Sequence, residues 1–211
     1  MSLRHAVLGV LSSMPMSGYD MQRYFDEAGY FWPASHAQVY QELRKMEREG
    51  LIEATIAPRG TRAEKRIYNL TEGGQRELTM LTLQPYSYPP DRDGMRLQFM
   101  YLDLVPFDVA REHLRAHIAH YRLVIQHLQG RIDGIVNRRS NLLRSRLHNR
   151  PESAHDAIVS YRVHALEAHV ARAQAEIAWA ERGLELVEGL AEQRSAGTPA
   201  GEKVRRLRRS R

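Results

Sequence analysis

The stretch from Trp32 to Ile52, WPASHAQVYQELRKMEREGLI, constrains the fold more tightly than any other. Pro33 breaks what precedes it, Ser35 can accept the free amides of a new helix, and Gln38 completes a Ser-x-x-Gln capping box. Val39, Leu43 and Met46 recur at i, i+4 and i+7 and predict one buried stripe, while Gln38, Gln41, Arg44, Lys45 and Arg48 fall largely on other faces. Gly50 stops the helix and Leu51-Ile52 begins an extended segment. Such a helix lies on a core by its stripe and turns amide and guanidinium groups outward, the groups that read base edges and hold phosphates.

Two helices are expected before it. Leu3 to Leu11 is apolar nearly all round, as suits a short buried helix, and Ser13-Met14-Pro15 ends it. Ser17-Gly18-Tyr19-Asp20 opens a second helix to about Ala28, with Tyr19, Tyr24 and Phe25 as candidate core, and Gly29 closes it. Three helices therefore precede any strand. Leu51–Ala57 and Ile67–Leu70 then read as the strands of a hairpin joined by a basic loop, PRGTRAEKR. Thr71 caps a further helix to about Leu83, and a Pro-rich linker at 85–94 marks residues 1–84 as a domain. Helix, helix, helix, hairpin is the order of a winged helix-turn-helix, with Arg59, Arg62, Lys65 and Arg66 as the wing's cations.

Beyond the linker, Leu114, Ile118, Tyr121, Ile125, Leu128, Ile132 and Ile135 are spaced alternately by four and three residues. Val159, Val163, Leu166, Val170, Ala173, Ile177, Ala180, Leu184, Val187 and Ala191 keep the same alternation. A sustained period of about 3.5 residues predicts a coiled-coil-like seam. HNRPESAH at 148–155 then turns the chain, so the two helices form an antiparallel hairpin. Alanines beside the second seam (Ala157, Ala165, Ala168, Ala175, Ala178) leave room for a second protomer. Residues 95–193 thus read as a dimerisation domain, with Leu114, Ile118, Tyr121, Ile125, Leu128, Val163, Leu166, Val170, Ile177 and Leu184 at its contacts. The alternative is a monomeric hairpin folded back on the N-terminal domain. The fold class is mainly α: an N-terminal winged helix-turn-helix, three helices plus a β-hairpin wing, followed by a long-helix antiparallel hairpin.

The 211 residues hold 31 Lys and Arg against 25 Asp and Glu, but the excess is not spread. Residues 1–84 carry 10 of each sign and 85–193 carry 14 of each, so the tail 194–211, with 7 against 1, holds the whole net charge of +6. DNA binding by the N-terminal part must therefore rest on local pattern, not on bulk charge. The tail, RSAGTPAGEKVRRLRRSR, has almost nothing apolar to pack and is expected to be disordered, either a solubilising end or a DNA arm. AVLGVL at 6–11 is too short for a membrane span and lacks a signal peptide's flanks, so a cytoplasmic protein without a membrane partner is expected. The absence of cysteine excludes disulfides and thiolate metal sites. His113, His117 and His120, at i, i+4 and i+7, could meet a metal ion, but no His-Glu-x-x-His arrangement, phosphate loop or serine-nucleophile motif accompanies them. No enzyme, metal site or cofactor is expected, and the histidines read as solvated or interface side chains.

Taken together the residues resemble PadR-type transcriptional regulators, in the subgroup with the longer, virulence-activator-like C-terminal domain. The resemblance rests on the Leu-x-x-Ala-Val-Leu-Gly-Val-Leu start, Ser17-Gly18-Tyr19-Asp20, Phe31-Trp32 with Ala34-Ser35-His36, Gln38-Val39-Tyr40, Leu43, Met46-Glu47, Gly50-Leu51-Ile52, and Tyr68-Asn69-Leu70-Thr71 with Gly74. Met46 stands where the family usually has Leu. The resemblance implies a homodimer that binds a partly palindromic double-stranded operator, commonly as a repressor, through the third helix and the wing. Ser35, Gln38, Tyr40, Gln41 and Arg44, with Arg59, Arg62, Lys65 and Arg66, would then touch bases or phosphates. Tyr40 reads equally as a semi-buried core residue, and Lys45 and Arg48 as a solvated face paired with Glu42 and Glu49. Members often respond to small aromatic or hydrophobic effectors, for which Trp32, Tyr86, Tyr88, Phe99 and Tyr101 are candidate lining residues. Against this stand a winged-helix adaptor that has lost DNA binding and a metal-responsive protein using the C-terminal histidines.

Overall fold

In the computed structural model, which describes residues 2–27, 34–59, 62–88 and 93–196, the helix and strand order begins α1 (Leu3–Leu11), β1 (Met16–Ser17), α2 (Gly18–Glu27), α3 (His36–Arg48). It continues β2 (Ile52–Arg59), β3 (Arg62–Leu70), α4 (Glu72–Leu83), α5 (Gly94–Phe99), α6 (Phe107–Val136), α7 (Asn141–His148) and α8 (His155–Ala196). For Glu27, 57–59 and 62–64 the backbone alone is described. The chain forms two compact units, residues 1–90 with 134–163 and residues 91–133 with 164–211.

In the first unit the expected stripe of α3 is the centre of the core: Val39, Leu43 and Met46 are fully buried, packed with Val7, Leu8, Val10 and Leu11 of α1 and Met21 and Phe25 of α2. Thr71 opens α4 as expected, its hydroxyl accepting the Gly74 amide at 3.1 Å and lying 2.8 Å from the Gly50 carbonyl. Gly50 itself has φ of 72°, the left-handed conformation that ends α3. A Cβ on Gly74 would lie 2.2 Å from the Leu51 carbonyl oxygen, so α4 can pass the entry to β2 only without a side chain there. Arg4 binds α1 to α3 and α4: its guanidinium reaches Glu42 at 3.1 Å, Glu49 at 2.5 Å and Glu77 at 3.3 Å. Glu42 and Glu49 therefore serve Arg4 and not the solvated pairs with Lys45 and Arg48 that helical spacing suggested.

The strands depart from expectation in two ways. A strand does precede the third helix: Met16 and Ser17 pair antiparallel with Tyr68 and Ile67, giving a sheet of order β1-β3-β2. The expected loop PRGTRAEKR is mostly strand, with Ile56 opposite Arg66, Ala57 opposite Lys65 and Arg59 opposite Arg62. Ladder bonds are made by the backbone and ignore side-chain charge, so basic residues extend the hairpin; a register shift between Ala57 and Arg59 accommodates Pro58, which has no amide hydrogen. Tyr19, expected in the core, is 66% exposed.

The connection between the long helices is also larger than expected. Ahead of the turn at 148–155 the chain forms α7, capped by Ser140. Leu143 and Leu147 are buried and Leu142 packs on the N-terminal core. Ser145 donates to the Ser13 carbonyl at 2.8 Å, and Arg146 donates to the Ser12 hydroxyl at 2.7 Å. Residues 134–163, read from sequence as part of the 95–193 helical domain, thus cluster with the N-terminal unit.

In the second unit α6 and α8 run antiparallel. Arg111 meets Glu188 at 2.8 Å, His117 meets Glu176 at 3.1 Å, and a Cβ on Gly183 would lie 3.0 Å from Leu114. The buried face of α8 is Leu166, Ala173, Glu176, Ala180, Gly183 and Val187. Of the expected dimer contacts, Leu114, Ile118, Leu128 and Leu166 are buried within the single chain, and Tyr121, Ile125, Val163, Val170, Ile177 and Leu184 are half-buried. Val124 rather than Ile125 is buried, because a straight helix of about 3.6 residues per turn drifts off a 3.5-residue pattern. The helix α8 runs to Ala196, three residues into the expected tail; residues 197–211 lie outside the described residues.

Candidate nucleic-acid interface

The outer face of α3 is built from its cap upward. Ser35 and Gln38 form the expected reciprocal capping box, which sets the start of the helix and, through its buried stripe, its rotation on the core. Ser35, Gln38, Gln41 and Arg44 are all exposed on that helix. Tyr40 is half-buried: its ring stacks on His36 at 4.3 Å and closes on Gly18, where a Cβ would lie 2.8 Å from the ring. Burial, then the neighbouring Tyr68 and Asp20, raises its hydroxyl pKa and keeps it a neutral hydrogen-bonding group. Tyr40 is thus a packing residue with one edge left open on a cavity.

That cavity, of about 350 Å³, lies between the start of α2, Tyr40 and β3, and is bordered by Tyr19, Asp20, Lys65, Arg66 and Tyr68. Lys65 donates to Asp20 at 2.8 Å, and Ser17 donates to the same carboxylate oxygen at 2.6 Å. The Lys65 and Ser17 hydrogen bonds hold the Asp20 carboxyl below the usual aspartate range. Arg66 donates to both oxygens of Glu47, at 2.5 and 2.7 Å, with its guanidinium 5.8 Å from the Tyr68 ring centre. The structure therefore brings Tyr40, Lys65 and Arg66 together. The side chains of Arg59 and Arg62, also expected here, lie outside the described residues. Tyr19 was not expected at this site. A signal for it was present: Met21 and Phe25, at i and i+4, define the buried face of α2, and Tyr19, two residues earlier, falls opposite.

A second cavity of about 460 Å³ opens on the other side of the Asp20–Lys65 pair. Met14, Met16, Tyr24 and Ile67 make its apolar wall, Arg23 and Lys65 bring positive charge, and Asn141 and Leu142 of α7 close it. Among the described residues, none of the expected effector-site aromatics lines it. Tyr86, Tyr88 and Tyr101 are exposed, Phe99 packs edge-on against Trp179 at 5.1 Å, and Trp32 lies outside the described residues. Of the C-terminal histidines, His117 bonds to Glu176, which Arg96 also holds at 2.6 Å, and His120 lies edge-on to Tyr121.

Three helices, a two-stranded wing anchored by a third short strand, and a polar third helix over a buried stripe define a winged helix-turn-helix protein with long C-terminal helices. Residues 7–80 match the transcriptional regulator PadR-like family. The chain is 31% identical over 136 residues to the negative transcriptional regulator PadR of Bacillus subtilis, spanning 64% of this chain and 75% of that one. In structure it is similar to Bacillus subtilis PadR in complex with operator DNA (TM-score 0.61, 26% identity, 84% of this chain and 97% of that one). The complex of the same protein with p-coumaric acid gives a TM-score of 0.55 at 25% identity, over 85% of this chain and 98% of that one. The Vibrio cholerae virulence activator AphA gives 0.59 at 26% identity, over 90% and 99%. The chain belongs to the PadR-like family of transcriptional regulators and is not an enzyme.

Proposed function

We propose that this regulator is a homodimeric, sequence-specific repressor that inserts α3 into the major groove of a partly palindromic operator, sets its wing on the adjacent backbone and releases DNA when a small molecule binds. The observation that carries the reading is the exposed row Ser35, Gln38, Gln41 and Arg44 on α3, with Tyr40 of the same helix sharing a cavity with Lys65 and Arg66. Glutamine can pair with adenine and arginine with guanine, while Tyr, Lys and Ser suit phosphates. A relative solved in complex with operator DNA supports the DNA-binding reading. The wing cations Arg59 and Arg62 belong to this set by position on the hairpin.

Dimerisation is proposed through α8, whose Val163, Val170, Ile177 and Leu184 remain half-buried in one chain, with Leu186 and Leu190 exposed beside them. The 460 Å³ cavity, apolar with Arg23 and the Lys65–Asp20 pair at its edge, suits a small aromatic acid, and the relative solved with p-coumaric acid supports that ligand class. No helix among the described residues is long and apolar enough to cross a membrane, and we place the regulator in the cytoplasm with the DNA it reads. Fluorescence anisotropy with duplexes from the gene's own upstream region, against random duplex and with added p-coumarate, tests the reading. Selective binding that p-coumarate weakens is expected; equal affinity for both duplexes would overturn sequence-specific recognition.

A further inference from the structure

Lys65 and Arg66 are neighbours on β3, and each is held by a carboxylate from one of the two helices of the helix-turn-helix. Lys65 pairs with Asp20 of α2 at 2.8 Å, and Arg66 grips both oxygens of Glu47 of α3. Neither cation is enclosed, since the Lys65 side chain is 36% exposed and that of Arg66 54%, so a solvated anion can reach both. Asp20 is fixed independently of its lysine: Ser17 donates to its carboxylate at 2.6 Å, and the Asp20 amide donates to the Ser17 hydroxyl at 3.2 Å. Exposed ion pairs of this kind stabilise a fold only slightly, so stability gives little reason for both cations to be occupied. A DNA phosphate that takes either cation has to displace a carboxylate and leave its charge facing the strand.

We propose that Asp20 and Glu47 are built-in phosphate surrogates: they occupy Lys65 and Arg66 in the free protein and compete with the DNA backbone for them. Phosphate contacts position a protein without reading sequence, so this competition weakens operator and random DNA by the same factor. Tight binding then has to come from base contacts along α3, and idle binding to bulk DNA is kept low. The inference rests on the DNA-binding reading above.

A pair of double-mutant cycles in the full chain tests it, with affinities for upstream-region and random duplexes measured over a range of salt. Asp20→Asn is expected to tighten both duplexes about two- to fivefold, the range an exposed ion pair allows. It should also steepen the slope of log K against log salt by up to about 0.9, one phosphate contact's worth. Glu47→Gln should do the same. Both gains should vanish in the Lys65→Met and Arg66→Met backgrounds respectively. Asp26→Asn, a second carboxylate of α2 that bonds Gln22 at 2.8 Å, serves as the charge control and is expected to leave affinity unchanged. If circular dichroism shows that Asp20→Asn unwinds α2, the Glu47–Arg66 cycle carries the test. Gains that persist undiminished without the cation partner, or no gain in either single variant, overturn the proposal. Absence of binding to either duplex by the unaltered protein is a different failure, that of the DNA-binding reading itself.

Discussion

Gln38 closes the cap of its own helix onto Ser35: its Oε1 accepts the Ser35 amide at 2.8 Å while the Ser35 hydroxyl accepts the Gln38 amide at 3.4 Å. One lone pair of this side chain's oxygen is therefore in use at the cap, and its NH₂ group and second lone pair are what remain to read a base. Gln38→Ala is expected to lose about 0.5–1 kcal/mol of stability together with operator preference. Gln38→Glu keeps a cap acceptor and removes the donor, so it should unfold near the unaltered temperature yet lose the preference. Thermal unfolding and the ratio of operator to random affinity separate the two roles; an unchanged ratio in Gln38→Glu removes Gln38 from base reading.

Arg4 joins three carboxylates on two other helices, and its loss leaves all three facing one another. Arg4→Met keeps much of the apolar stem and removes the charge-assisted bonds, so a cost of about 1–3 kcal/mol is expected, discounted from the buried case because the side chain is 21% exposed. Urea unfolding measures it. A loss below about 0.5 kcal/mol would mean that apolar packing alone orients α1 against α3 and α4.

Glu176 is the charged residue in the buried face of α8. Burial would raise its pKa, but the hydrogen bonds from Arg96 and His117 outweigh burial and hold it below the ordinary glutamate value of about 4.5. A carboxyl depressed in the folded state contributes stability that is full above its unfolded value and is lost as pH falls through the folded one. Glu176→Gln is thus expected to unfold at lower temperature at neutral pH, by about 2 kcal/mol or more. The gap should close as the pH drops below about 4.5. Melting curves taken across that range check the sign; a gap that does not vary with pH would show that Glu176 acts by shape.

The half-buried face of α8 is the proposed seat of the second copy. Replacing Val163 and Val170 together with Glu puts charge on that face without touching the fully buried Leu166, Ala173 and Ala180. Sedimentation of the double variant is expected to give a folded monomer with weakened operator binding, because two linked half-sites are no longer engaged at once. A dimer of undiminished stability would move the interface elsewhere.

Most of the N-terminal unit was legible from sequence because its signals are local. The capping box at Ser35, the single cap at Thr71, the stripe Val39-Leu43-Met46 and the left-handed Gly50 each involve residues within about four positions or one helical stripe, where helix geometry alone settles the neighbours. The same short-range pattern misleads where two faces compete. Tyr19 is aromatic, which argues for the core, but Met21 and Phe25 occupy the inner face of α2 and leave Tyr19 outside it.

By itself the sequence determined the winged order, the start and rotation of α3, and the antiparallel pairing of two long helices, since all three follow from periodicity and caps. Only the tertiary structure decided where the charged groups went and what α7 rests on. Lys65 meets Asp20 across 45 residues, Arg66 meets Glu47 across 19, and Ser145 meets Ser13 across 132. A two-residue strand such as Met16–Ser17 has no period to read, and an ion pair between distant segments leaves no trace in the spacing of either. Whether a basic residue is free for DNA depends on which carboxylate the folded chain brings beside it, and that is set by packing rather than by its neighbours along the chain.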